Sequence, residues 1–224
     1  MGRYASITDI QDRLELGTLN ETDDPKLSVV DEWITEAEDT IDKRSFQRWD
    51  LHTVVDELVS PKYQTNTFSL KIRPIVKISS VYYQTGDEWT NNWVLMDTDD
   101  YRITDANLSR IRTKEYFWME DALKVTYVAG YEEIPSWLKS LTILEVQKIH
   151  IMSRLGISAA DSENVSVAVI RITDKSDKSL VFKLKGLDAE IEERYSKLGK
   201  SNKSAVYNIG YSDVNNNNIR MRDY

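Results

Sequence analysis

Hydrophobic positions along the chain are helical in period up to about residue 52, strand-like from Thr53 to Gly130, helical again after Pro135, and mixed beyond Gly156. The first element is a short helix. Ser6 can cap it, Asp9 three residues later is a capping-box partner, and Gly17 can close it after Leu16. Ile7, Ile10 and Leu14 fall on one side. Asp24-Pro25 then pairs an N-cap acceptor with a proline suited to the first helical position. From there to about Trp49, Leu27, Val30, Ile34, Ala37 and Ile41 recur at spacings of 3, 4, 3 and 4. That stripe is about two heptads long, short of an autonomous coiled coil, so it predicts a helix packed in a bundle.

Between Thr53 and Gly130 the chain is rich in Val, Ile, Thr and Tyr with polar punctuation, and predicts strands at Ile75–Tyr83, Trp93–Met96, Tyr101–Thr104, Ser109–Thr113 and Ala122–Ala129. The last alternates most clearly, with Leu123, Val125, Tyr127 and Ala129 on one face. Thr85-Gly86-Asp87 marks a turn. After Pro135, with Ser136 as cap, a helix runs to about Arg154 before Gly156. Its apolar residues exceed one stripe, which predicts burial on two sides, in the bundle and against a neighbouring subunit through Trp137, Leu141, Leu144 and Ile149. Two further runs, Val165–Thr173 and Leu180–Lys185, look strand-like and flank a polar turn at Asp174–Asp177. A short helix carrying Leu187, Ile191, Tyr195 and Leu198 follows, and a polar tail begins at Gly199. The pattern predicts an α+β fold: a small helix bundle with an inserted antiparallel β module and an extended C-terminal arm. Its parts are N-terminal helices (1–52), the β module (53–134), a third bundle helix (135–156), a hairpin plus short helix (157–198) and the arm (199–224).

Composition adds exclusions. The 224 residues contain no cysteine, so thiol nucleophiles, disulfides and thiolate metal sites are ruled out. Only His52 and His150 could supply imidazole. At 41% hydrophobic and 10% aromatic the chain should fold. No apolar run approaches the ~20 residues of a membrane span, and the sequence predicts a soluble, intracellular protein. The net charge of −8 argues against a broad phosphate-gripping face. That charge is localised: residues 1–60 hold 15 acids and 6 bases, the rest 22 and 23. A solvated helical face accounts for this, with a functional acidic surface as the alternative.

Candidate chemistry is sparse. An EF-hand loop starting at Asp97 would need glycine and glutamate where Arg102 and Leu108 stand. Glu132-Glu133 and Glu192-Glu193 are adjacent acids with no sign of the differing environments an acid–base dyad needs. No phosphate loop, nucleophile elbow or His-based triad is present, and no cofactor is implied. Two basic clusters could touch phosphate or serve solubility or a subunit contact: Arg110, Arg112 and Lys114, which alternate along a strand, and Arg194, Lys197, Lys200 and Lys203. In the tail, Ala205, Tyr207, Ile209 and Tyr211 would share one side of an uncharged extended run. That run suits addition to a partner's sheet edge, or a strand of its own domain.

Several of these segments, taken in order, resemble the head–tail connector (adaptor, or head-completion) family of tailed bacteriophages. The matching residues are Arg73-Pro74-Ile75-Val76-Lys77-Ile78-Ser79-Ser80-Val81-Tyr82-Tyr83, then Tyr101-Arg102-Ile103, then Val125-Thr126-Tyr127-Val128-Ala129-Gly130-Tyr131, and Ile134-Pro135 opening a helix. The resemblance covers roughly residues 1–155, and the region after Arg154 matches nothing in the family pattern. It implies a non-enzymatic virion protein of the neck, assembled in the host cytoplasm. Such proteins form a ring, usually a dodecamer, beneath the portal protein. Their C-terminal arm embraces the portal, their lower face receives a stopper or tail protein, and double-stranded DNA passes through the lumen without sequence-specific binding. Lumen-facing N-terminal acids would repel phosphate over about a Debye length. A stopper or tail-completion ring, a carboxylate-dependent hydrolase or nuclease, and a DNA-binding module are the competing readings.

Overall fold

A computed structural model describes residues 2–61, 63–85, 92–156 and 175–207. Its elements are α1 (Ile7–Leu14), α2 (Leu27–Ser45), β1 (His52–Val59), β2 (Thr65–Ser69), β3 (Ile75–Thr85), β4 (Asn92–Leu95), β5 (Tyr101–Asp105), β6 (Arg110–Phe117), β7 (Leu123–Ala129), α3 (Ser136–Arg154) and α4 (Lys175–Tyr207). The fold is α+β, with a seven-stranded β module inserted between helices α2 and α3.

The start of α1 follows its sequence. Ser6 accepts from the Asp9 amide at 3.2 Å, and the Ser6 amide donates to the Asp9 carboxylate at 2.9 Å, closing the capping box. Its end does not: Glu15 takes the left-handed conformation (φ 56), two residues before Gly17. The expected Asp24-Pro25 start of α2 is also displaced. Lys26 is the N-cap and offers no side-chain bond. Instead the Glu21 carboxylate reaches into the first turn, accepting from the Ser28 amide at 3.0 Å and hydroxyl at 2.8 Å. Val30, Ile34, Ala37 and Ile41 are fully buried, as the 3–4 spacing requires.

The β module has two antiparallel sheets, ordered β1-β7-β3-β4 and β2-β6-β5. Their inner faces share one core that includes Phe68, Val81, Ile111, Phe117, Leu123, Val125 and Tyr127. The alternation of β7 is realised residue by residue, with Leu123, Val125, Tyr127 and Ala129 buried and Lys124, Thr126 and Val128 half-buried. The strands predicted over 75–129 are all present, and β1 and β2 add to them.

Helix α3 is buried on two sides, but both partners belong to the same chain. Val146 packs in a cluster with Val30, Ile34 and Ala37, whereas Leu138, Leu141 and Leu144 pack with Ile191 of α4. Leu141 and Leu144, expected against a neighbouring subunit, are therefore covered within the chain. Trp137 is half-buried against Trp49, and Ile149 is half-buried against the α2 cluster.

The largest departure is α4. Leu180–Lys185 is helix rather than strand, and Lys175–Asp177 is helix rather than turn. Leu180, Leu184, Leu187, Ile191, Tyr195 and Leu198 recur at 4, 3, 4, 4 and 3, a single stripe that a window confined to Leu180–Lys185 does not contain. Leu184 and Ile191 are buried in it. The helix also runs through Gly199 to Tyr207, so Ala205 and Tyr207 lie on a helix and not on an extended arm. Once a helix is docked, each further residue adds a hydrogen bond without a new nucleus. The expected strand Val165–Thr173, the residues Gly86 and Asp87 of the predicted turn, Asp174, and the arm residues Ile209 and Tyr211 lie outside the described residues.

Candidate functional site

Helical body and β module meet at a seam that includes two of the segments carrying the family resemblance, Arg73-Pro74 and Gly130-Tyr131. Trp49 and Asp50 enter from the α2–β1 connection, Arg73-Pro74 from the β2–β3 connection, and Gly130-Tyr131 from the end of β7. The Gly130 amide donates to the Pro74 carbonyl at 2.9 Å, and the Tyr131 amide to the Trp49 carbonyl at 2.8 Å. The Gln47 side chain donates to the Arg73 carbonyl at 3.4 Å. Trp49 stacks on Tyr131 (centroids 6.2 Å apart) and meets Trp137 edge-on at 5.2 Å. Gly130 has φ 101, and a Cβ there would lie 2.2 Å from the Asp50 carbonyl oxygen. Only glycine fits both the backbone conformation and the space.

The N-terminus is tied to this seam. The Tyr4 amide donates to Glu38 at 2.7 Å; its hydroxyl accepts from the Trp49 amide at 2.9 Å and donates to Asp42. Burial, with the Asp42 hydrogen bond, pushes the Tyr4 hydroxyl well up. Arg3 reaches Glu38, Asp39 and Asp42 at 3.3, 3.1 and 2.8 Å. Asp9 pairs with Lys139 at 2.8 Å; burial pushes its carboxyl up, but the bonds from Lys139 and Ser6 outweigh this and leave it below the usual range. Part of the N-terminal acidity is thus structural. Glu32 and Glu36 of α2 remain exposed.

Besides Tyr4–Asp42, two carboxylate–tyrosine pairs with a buried carboxylate were not predicted. In the β module the Tyr127 hydroxyl donates to Glu57 at 2.5 Å, Glu57 also accepts from the Lys71 amide at 2.9 Å, and the Ile72 amide donates to the Tyr127 oxygen at 3.2 Å. In the helical body the Tyr195 hydroxyl donates to Glu145 at 3.0 Å, with the Arg44 guanidinium 3.7 Å from the Tyr195 ring centroid. Burial pushes the Glu145 carboxyl above its usual value and, with the neighbouring carboxylate, the Tyr195 hydroxyl well up. Contacts 50 and 70 residues apart leave no local signal; a polar residue at an inward strand position was the available hint for Glu57.

Arg110, Arg112 and Lys114 do project from one face of β6, between the buried Ile111 and Thr113. Lys114 pairs with Asp100 at 2.8 Å. The same face carries Arg102 of β5, which the sequence reading missed and which stands directly opposite Arg112. Of the second cluster, Arg194 and Lys197 are taken up on their own helix by Glu190 and Glu193 at 2.8 and 2.7 Å. Tyr63, Tyr116 and Trp118 are 82%, 59% and 70% exposed at the end of the small sheet where Thr65 pairs with Phe117.

Among the described residues no group of three or more His, Cys, Asp or Glu could hold a metal ion, and no helix is long and apolar enough to cross a membrane. The Asp97–Asp100 segment is a 3-10 turn capped by the Asp97 carboxylate, which accepts from the Asp99 amide at 3.1 Å. His52 is engaged at the seam, its Nδ1 2.7 Å from the Asp50 carbonyl oxygen, whereas His150 lies edge-on to Trp33.

No protein-family model matches the chain, and no curated protein matches it in sequence. The solved structures that resemble it include one described as the neck of an empty GTA particle computed with C6 symmetry. That chain is 14% identical, the match covers 67% of this chain and 80% of that one, and the TM-score is 0.46. A superposition this loose carries no weight for the role of the protein.

Proposed function

We propose that the protein is a structural subunit of the neck of a tailed-phage virion: an adaptor ring that joins the portal protein to the stopper or tail and continues the DNA channel. The observation that carries this reading is the convergence of the resemblance motifs. Pro74, Gly130 and Tyr131 come from segments far apart in sequence, yet they bond at one seam, and Ile134-Pro135 leads directly from it into α3. A motif set shared for packing reasons would look like this: Pro74, Gly130 and Tyr131 fix how the β module is mounted on the helical body, while Tyr101-Arg102-Ile103 belongs to β5 and packs within the module itself. The mounting suits a ring subunit, which needs two rigid bodies at a fixed angle to present lateral faces. A frame of helices around a β module favours an adaptor over a stopper, which would be mostly β.

In this reading the ring is a dodecamer, duplex DNA passes through without sequence-specific contact, and no catalytic step is assigned to the chain. The end of α4 and the residues after it face the portal, and the exposed aromatic end of the small sheet faces the next ring of the neck. The test is genetic. Phage lacking this protein should accumulate DNA-filled heads without tails, and supplying it in trans should restore virions. Tailed, infectious particles formed in its absence would refute the proposal.

A further inference from the structure

The outer face of the small sheet breaks a packing rule. In the row Thr67–Arg112–Arg102, two arginines face each other across β6 and β5, both exposed. Like charges directly opposite on a sheet destabilise it. Among the described residues no carboxylate lies within ion-pair distance of Arg102, Arg110 or Arg112. Asp99 and Asp100 line the same hollow of about 330 Å³, but Asp100 is held by Lys114. The outward positions beside them, Thr67, Ser69 and Thr104, are small and polar, and the exposed Glu115 and Tyr116 lie farther along β6, beyond Lys114, so no neighbouring side chain of the sheet covers the arginines. A locally unfavourable arrangement with no internal compensation is where an external ligand is expected.

The geometry points to a second copy of this chain as the occupant, seated by the exposed face of its α2. This rests on the ring reading above and specifies which surfaces close the ring. Glu32 and Glu36 lie one helical turn apart on α2, both exposed and without an ion-pair partner among the described residues. Residues four apart on a helix place their side chains about 5–6 Å from one another, and cross-strand partners sit at about 4.5–5.5 Å. Two arginines on the sheet can therefore meet two glutamates on the helix in register, each guanidinium offering its fork to one carboxylate. Basic and acidic patches lie on different bodies of the subunit, so the contact is heterologous: each copy gives its sheet to one neighbour and its helix to the other, the arrangement that generates rings. Duplex DNA fits the arginines less well. Helix α2 brings two carboxylates at one-turn spacing, whereas a run of phosphates continues along the face onto Asp99 and Asp100. The exposed α2 acids then lie between subunits and not on the channel wall.

Charge reversal tests the contact. Sedimentation at low and high salt is compared for the full-length protein, for Arg102→Glu/Arg112→Glu, for Glu32→Lys/Glu36→Lys, and for a mixture of the two variants, with circular dichroism melts to verify folding. The wild type should form salt-sensitive oligomers, and each variant alone should sediment as a monomer. The mixture should assemble again, since every basic face then meets an acidic one. Should either double substitution fail to fold, Arg102→Gln/Arg112→Gln and Glu32→Gln/Glu36→Gln give the same comparison without reversal. If the wild type assembles and the folded variants assemble equally, the inference fails while the ring reading stands. If the wild type remains a monomer at every concentration and salt, this face does not join two copies and the inference is overturned, while the ring reading is decided by the phage lacking the protein. If the arginine variant loses duplex DNA retardation that the wild type shows, and the mixture does not reassemble, the face serves phosphate and the inference is overturned.

Discussion

The helical body and the β module each bury a carboxylate against a tyrosine, and they do so differently. In the β module Glu57 receives two donors, the Tyr127 hydroxyl and the Lys71 amide, while the Tyr127 oxygen accepts a third bond from Ile72. The network pins the 71–72 loop beside the seam, and its removal exposes backbone as well as side chain to loss. In the helical body Glu145 receives one hydrogen bond, from Tyr195, with the Arg44 guanidinium at 4.0 Å. That pair fastens only α4, whose sequence lies beyond the family resemblance. The motif-bearing part is thus held by interlocked backbone and side-chain bonds, whereas α4 is attached by a polar clasp over an apolar stripe.

The comparison can be broken at its strongest point first. Gly130→Ala places a Cβ against the Asp50 carbonyl at a backbone conformation alanine rarely adopts, so equilibrium unfolding in urea should show a loss above about 3 kcal/mol. A loss under about 1 kcal/mol would mean the seam is compliant, and the packing explanation of the motifs would fall. Tyr127→Phe comes next. It removes one donor to buried Glu57 and the acceptor of Ile72, at about 2 kcal/mol, seen as a melting temperature lower by about 4–8 °C. Tyr195→Phe should cost only about 1 kcal/mol. Hydrogen exchange should quicken in α4 around residues 184–195 and leave the β7 amides unchanged; equal quickening in both would erase the distinction drawn above.

The smallest effect is a matter of sign. Burial raises the folded-state carboxyl of Glu145 above its ordinary value of 4.5, so its contribution is complete below that value, where it is protonated folded or unfolded. As pH rises through the raised folded value the unfolded chain releases the proton more readily, and that contribution is lost. Glu145→Gln retains an acceptor for Tyr195 without the ionisation. Its melting temperature should exceed that of the wild type at neutral pH, with the difference closing in acid.

Legibility in the sequence followed the range of the interaction. The Ser6–Asp9 capping box, the α2 stripe and the alternation of β7 depend on residues within a few positions of one another and were readable, whereas the close approach that requires glycine at 130 comes from Asp50, far away in sequence. Helix α4 is hard to read because Leu180, Val181 and Phe182 suit a strand over a short window, and Gly186 interrupts the helical signal; the stripe emerges only over the whole run from Leu180 to Leu198. The α2 start was misplaced because its cap, Glu21, arrives from outside the usual N-cap position. Arg102 was missed because its significance lies in its cross-strand partner, which register alone sets. The two tyrosine–carboxylate pairs were invisible for the same reason.

Cryo-electron microscopy of virions carrying the protein decides whether it forms a ring of the neck. The account predicts a ring of density at the portal–tail junction into which the α1–α3 body with its β module fits as one rigid unit, repeated around the DNA channel. A ring there that excludes this unit, or the protein located elsewhere in the particle or absent from it, would contradict the account.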